Sequence, residues 1–212
     1  MSYEELERRQ AALRSDAATI LAELDTSGVF ERLGTILPTG SYVSGLMTWP
    51  EIDIMLAVGS RFAPADVLDL LRRIVEIPGV VDMHYTDERG SRAPTDAVRD
   101  ERYHVTIGME RPGTVGPAKG TASAIVSWRI DLSLWLHDDH ASVTAWHEEL
   151  RDSITDDQRR AVLRIKDVWH RTPRYPDEVS GLDIYTAVLD AGVRTPEQFG
   201  GWLAERDGRQ EP

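Results

Sequence analysis

The chain has no cysteine. That removes disulfides, thiolate nucleophiles and cysteine-built zinc sites from the chemistry open to it. Lysine is almost as scarce: of 24 basic residues only Lys119 and Lys166 are lysines. Positive charge is short altogether, with 36 Asp and Glu against those 24 bases and a net charge of −12. So acidic a chain lacks the cationic surface that displaces counterions along a nucleic acid, and general nucleic-acid binding is not expected. A nucleotide ligand survives that argument, because a divalent cation can supply the positive charge locally. No apolar run nears the roughly 18 residues of a membrane helix, so no membrane partner is expected. The first residues, Met1-Ser2-Tyr3-Glu4-Glu5, are acidic and lack an apolar segment. No secretory signal is therefore expected, and a cytoplasmic location is.

What remains is an ordinary globular composition. The 212 residues are 41% hydrophobic, enough for a core without covalent staples. Ser2 with Glu5 has the pattern of a capping box, and Leu6, Leu13, Ala17, Ile20, Leu21 and Leu24 then recur at helical spacing. Ile36-Leu37-Pro38 is a short apolar stretch leading into Gly40-Ser41. Alternation predicts strands at 51–58, 80–85, 103–109 and 124–136. Pro64 opens a second helix carrying Val67, Leu70, Leu71 and Ile74. After His140 the pattern is helical, with starts signalled by Ser142, Asp157, Ser180 and Thr195-Pro196-Glu197-Gln198. This order predicts an α+β fold: a mixed β-sheet with flanking helices over residues 1–140, then a small helical domain over 141–212.

The chemistry lies on two of the strands. Side chains alternate faces along a strand, so Ile52, Ile54 and Leu56 share one face while Glu51 and Asp53 share the other with Met55 and Ala57. In the last strand Arg129, Asp131, Ser133 and Trp135 oppose Trp128, Ile130, Leu132 and Leu134. If these strands are neighbours, Glu51, Asp53 and Asp131 converge. Three carboxylates that close repel and raise one another's pKa unless a cation binds, and an all-oxygen ligand set suits Mg²⁺. Gly40-Ser41 precedes them at a strand-to-helix turn, where glycine lets the backbone approach a ligand, free N–H groups attract phosphate and the serine hydroxyl adds a donor.

Gly40-Ser41, then Glu51-Ile52-Asp53-Ile54, then Asp131-Leu132 on a later strand resembles the nucleotidyltransferase superfamily that includes DNA polymerase β. The helices after Asp131 resemble its small-molecule branch, the aminoglycoside and lincosamide nucleotidyltransferases. The resemblance implies two Mg²⁺ ions held by Glu51, Asp53 and Asp131, with ATP or another nucleoside triphosphate as donor. It implies that Gly40, Ser41, Arg129 and Lys166 hold phosphates. It further implies transfer of AMP from ATP to a hydroxyl of a small molecule, such as an antibiotic, with release of pyrophosphate. Two other readings stay open: a protein-modifying transferase of the antitoxin type, and a catalytically degenerate domain that binds a nucleotide or partner. The latter rests on Glu51, which stands where the family usually has Asp and carries one more methylene.

Other motifs have plainer explanations. His137-Asp138-Asp139-His140, with His147 beyond, has metal-ligand types but falls where a strand gives way to a helix, so capping accounts for it. Gly116-Pro117-Ala118-Lys119-Gly120-Thr121 has the Lys-Gly order where a phosphate-binding loop needs Gly-Lys, and is expected to be a hairpin loop. Lys166 stands on an amphipathic helix, where snorkelling to water is the ordinary expectation. The six tryptophans are expected to be core or interface, with one or two walling a ligand pocket.

Overall fold

The computed structural model describes residues 1–113, 124–176 and 178–208. The segment Gly116–Thr121 lies outside the described residues. Five strands form one sheet: β1 (Leu37–Thr39), β2 (Glu51–Ala57), β3 (Val80–Glu88), β4 (Arg102–Gly113) and β5 (Ala124–Trp135). Their order is β1-β2-β5-β4-β3. Only the central β2–β5 pair is parallel; every other pair is antiparallel. The sheet is thus mixed, as the sequence pattern predicts, and the two acid-bearing strands are neighbours.

Seven α-helices complete the described chain: α1 (Tyr3–Thr26), α2 (Gly40–Ser44), α3 (Pro64–Ile74), α4 (Ala141–Ser153), α5 (Asp156–Trp169), α6 (Gly181–Leu189) and α7 (Pro196–Gly208). The Ser2–Glu5 capping box opens α1, satisfying N–H groups that the first turn cannot pair. Thr155 with Gln158 and Ser180 with Asp183 do the same for α5 and α6. At α4 the expected cap, Ser142, lies inside the helix. The preceding residue is instead His140, in the left-handed region at φ 51°, with no side-chain cap bond.

Two hydrophobic clusters organise the packing. The larger joins α1 from Leu13 to Leu24 and α3 through Val67, Leu70 and Ile74 to one face of the sheet. That face is formed by Ile52, Ile54 and Leu56, by Tyr103, Val105 and Ile107, and by Ile130, Leu132 and Leu134. The smaller cluster is built from α5, α6 and α7, and also takes in Leu6 and Leu46. At 24 residues α1 is about 36 Å long, long enough to serve both clusters. Ion pairs Arg9–Asp167 (2.9 Å) and Arg159–Glu7 (2.6 Å) tie it to α5. The opposite face of the sheet is polar, and it carries the site. No helix among the described residues is long and apolar enough to cross a membrane.

Candidate active site

Register places the acids. In the parallel pair Asp53 stands opposite Asp131 and Glu51 opposite Arg129. In the next pair Thr106 stands opposite Asp131 and His104 opposite Ser133. Alternation sends all of these to the polar face, because their neighbours Ile52, Ile54, Ile130 and Leu132 are committed to the core. Ligand atoms of Glu51, Asp53 and Asp131 come within 4.8 Å of one another. Among the described residues this is the one His, Asp and Glu cluster so closely gathered. Three oxygen donors at that spacing, one of them buried, fit a hard divalent cation such as Mg²⁺.

The electrostatics are uneven across the cluster. Burial, then the neighbouring Asp53 and Asp131, raises Glu51 well above the usual carboxylate range. Burial and Asp131 push Asp53 up to about 6. Burial works the same way on Asp131, but its hydrogen-bonding partners outweigh it and hold the carboxyl down at about 2. Thr106 Oγ1 donates to Asp131 Oδ1 at 2.9 Å and Arg129 Nε donates to Oδ2 at 2.8 Å. His104 Nε2 stands 3.5 Å from Oδ1. Asp131 is therefore anionic without a metal, whereas Glu51 and Asp53 need a counter-charge.

Gly40 makes the close approach possible. It sits at φ 64°, and a Cβ there would overlap the Asp53 carboxylate. Ser41 follows, buried. Helix α2 is only five residues long, so it has little macrodipole to offer an anion. The expected attraction of a helix N-terminus for phosphate is thereby weakened, leaving backbone approach at Gly40 and the Ser41 hydroxyl.

Lys166 does not snorkel. It is 2% exposed, and its Nζ donates to the Tyr185 hydroxyl at 3.4 Å. Burial opposes its charge, but Tyr185, Tyr175 and Glu51 outweigh that and hold the ammonium above its ordinary value. Arg129 lies 4.0 Å from Glu51 as well as bonding Asp131, so it pairs with carboxylates in this state.

All seven residues singled out from the sequence line one cavity of about 800 Å³. Trp135 and Trp146 line it too, as expected of one or two tryptophans. Residues outside those seven also line it: Arg102, His104, Tyr175 and Tyr185, together with Ser142 and His147, which the sequence marks only as a helix start and as a residue of metal-ligand type. His104 was findable, since Tyr103, Val105 and Ile107 alternate with it and mark the polar face. The tyrosines come from the helical region, where only tertiary packing brings them to the sheet. His140 is explained without a metal. It stacks on Trp135 at 3.6 Å, with Nε2 3.2 Å from the Arg99 carbonyl oxygen.

The raised Asp53 has a measurable consequence. An acid raised by folding costs stability when ionised. The cost is absent below the ordinary carboxylate value and complete above the folded one. Burial pushes His147 down to about 4 and lowers His170, and these act in the opposite sense as pH falls. The informative comparison is therefore with Asp53→Asn, which leaves both histidines in place. In EDTA at pH 7.5 this variant should melt above the wild type. The gain should shrink toward pH 5.5, where wild-type Asp53 takes up its proton. Melting curves at the two pH values check this, and a variant that melts lower at both contradicts it.

No family model matches the sequence, and no curated protein matches it. Solved structures do resemble the fold. The Cid1 poly(U) polymerase aligns with TM-score 0.50 and 12% identity, over 89% of this chain and 55% of that one. The same protein with MgGTP bound aligns at TM-score 0.46 and 14% identity, over 73% of this chain and 41% of that one. A cytoplasmic RNA terminal U-transferase aligns at TM-score 0.45 and 11% identity, over 77% of this chain and 46% of that one. The chain spans about half the length of these proteins. The fold is nucleotidyltransferase-like, an α+β arrangement with a five-stranded mixed sheet. The likeness corrects one expectation from the sequence. General nucleic-acid binding is not expected from the sequence and a small-molecule acceptor is, yet the structural neighbour at TM-score 0.50 is a poly(U) polymerase.

Proposed function

We propose that the chain is a Mg²⁺-dependent nucleotidyltransferase, moving a nucleoside monophosphate from a nucleoside triphosphate to a hydroxyl and releasing pyrophosphate. The observation that carries this is the convergence of Glu51, Asp53 and Asp131 beside Gly40-Ser41 in one cavity. The donor to test first is ATP. The acceptor we propose is the 3′ hydroxyl of an RNA, and the names of the structural neighbours support that choice.

Each residue then has a task. Glu51, Asp53 and Asp131 hold two Mg²⁺ ions, which when bound neutralise the phosphate oxygens and the departing pyrophosphate. Gly40 lets the β- and γ-phosphates close on the backbone, and Ser41 donates to them. Lys166, already charged and buried, faces the same phosphates from α5. Arg129 balances Glu51 and Asp131 before the nucleotide arrives. Asp131, ionised before the reaction, orients the attacking hydroxyl. Its oxygen bonds to the α-phosphorus as the bond from that phosphorus to the bridging oxygen breaks. The hydroxyl proton passes to the Asp131 carboxylate and on to water. Positioning and charge neutralisation supply most of the rate in such a reaction.

A thermal-shift panel of ATP, GTP, CTP and UTP, each with Mg²⁺ and with EDTA, tests the donor half. Ligand binding to the folded state raises Tm by mass action. A shift that needs Mg²⁺ is the expected result and identifies the base. No shift for any of the four contradicts the reading.

A further inference from the structure

The site has two sides. Across the sheet the order runs from Gly40-Ser41 beyond β1, through Asp53 on β2 and Asp131 on β5, to His104 and Thr106 on β4. The phosphate-facing residues thus stand on one side of the acids and β4 on the other. In-line displacement puts the attacking and leaving oxygens on opposite sides of the phosphorus. With pyrophosphate held at Gly40-Ser41, the hydroxyl must approach from β4.

Most polar groups on that side are already engaged. Thr106 gives its hydroxyl hydrogen to Asp131. Arg102 donates to Glu88 and to Ser133 and lies over the Trp135 ring. His104 differs. Its Nε2 is 3.5 Å from Asp131 Oδ1 and its Nδ1 3.8 Å from Glu88 Oε1. Both separations exceed an ordinary N–H···O bond of about 2.7–3.2 Å. The imidazole is therefore bracketed by two carboxylates without a full-strength bond to either. Its side chain is 19% exposed and lines the cavity.

We propose that His104 binds the acceptor: its Nε2 holds the attacking hydroxyl beside Asp131. This rests on the transferase reading above and adds a residue to it. His104 is not itself a ligand of the donor nucleotide or of the metal. In the reaction the hydroxyl oxygen bonds to the α-phosphorus, pyrophosphate leaves, and the proton goes to Asp131 and then water. His104 fixes where that oxygen stands.

The test reads how the nucleotidyl group divides between acceptors. An RNA oligonucleotide with a free 3′ hydroxyl, or glycerol at molar concentration as a generic hydroxyl, competes with water for the nucleotidyl group. His104→Ala should lower the ratio of hydroxyl transfer to hydrolysis by up to about 10-fold, the effect of one lost hydrogen bond. Asp131 loses a neighbour at 3.5 Å in this variant, so Mn²⁺ and Mg²⁺–ATP affinities are measured alongside, and the ratio should fall by more than either affinity does. His104→Gln, with an amide nitrogen near the Nε2 position, should recover part of the ratio. An unchanged ratio in His104→Ala overturns the proposal while leaving the transferase reading intact. So does a wild type that transfers to water alone. A wild type that releases no pyrophosphate overturns both.

Discussion

Replacing Asp131 with Asn is expected to lower nucleotidyl transfer by about 10³-fold or more without loss of the fold, and Asp53→Asn is expected to do the same. The magnitude follows from removing a group that stabilises developing charge in a water-poor site. Asn keeps the size of Asp but gives up a negative charge. At position 131 it also leaves the Arg129 guanidinium, whose Nε now donates to Oδ2 at 2.8 Å, bonded to a neutral oxygen in place of a charged one. The two variants separate on stability. Asp131 is held down at about 2, so its ionisation stabilises the fold above the ordinary carboxylate value, and Asp131→Asn should melt lower in EDTA at pH 7.5. Asp53 is pushed up to about 6, so Asp53→Asn should melt higher. Equal loss of activity with opposite shifts in Tm is the signature expected. Turnover near the wild-type level in either variant contradicts the assignment of the acids.

Gly40→Ala is expected to damage both stability and transfer. Two costs combine. The backbone there is left-handed at φ 64°, which costs an alanine about 1–2 kcal/mol. The new methyl would also overlap the Asp53 carboxylate, with Asp53 Cγ only 2.8 Å away. Asp53 cannot retreat easily, since Ile52 and Ile54 on either side are locked in the core. The expected outcome is a Tm lower by several degrees together with transfer reduced about 10²-fold or more, as a displaced reacting group costs. Gly59, also at positive φ but with nothing near its absent side chain, is the control. Gly59→Ala should pay only the backbone cost and keep its activity. Equal activity in Gly40→Ala and wild type contradicts the close-approach argument.

Much of this site was legible before any coordinates. Alternation fixed which face Glu51, Asp53 and Asp131 take, because a one-residue slip would bury the acids and expose the isoleucines. The capping boxes at Ser2 and Ser180 and the proline at 64 marked helix starts. What sequence could not supply was adjacency. That β5 runs parallel beside β2, with β4 on its far side, is a matter of long-range pairing, and His104 and Thr106 enter the site only through it. Tyr175 and Tyr185 depend on how α5 and α6 dock. Lys166 illustrates the limit well. Its helical spacing predicts an edge residue reaching water, yet it is buried against Tyr185 and close to Glu51.

Manganese binding by electron paramagnetic resonance, with and without a non-hydrolysable ATP analogue, tests the central claim most directly. It reads the carboxylate cluster itself and needs no acceptor. The account predicts Mn²⁺ binding that the nucleotide strengthens, and that Asp53→Asn weakens by about 10-fold or more while circular dichroism stays unchanged. Equal Mn²⁺ affinity in wild type and Asp53→Asn would contradict it.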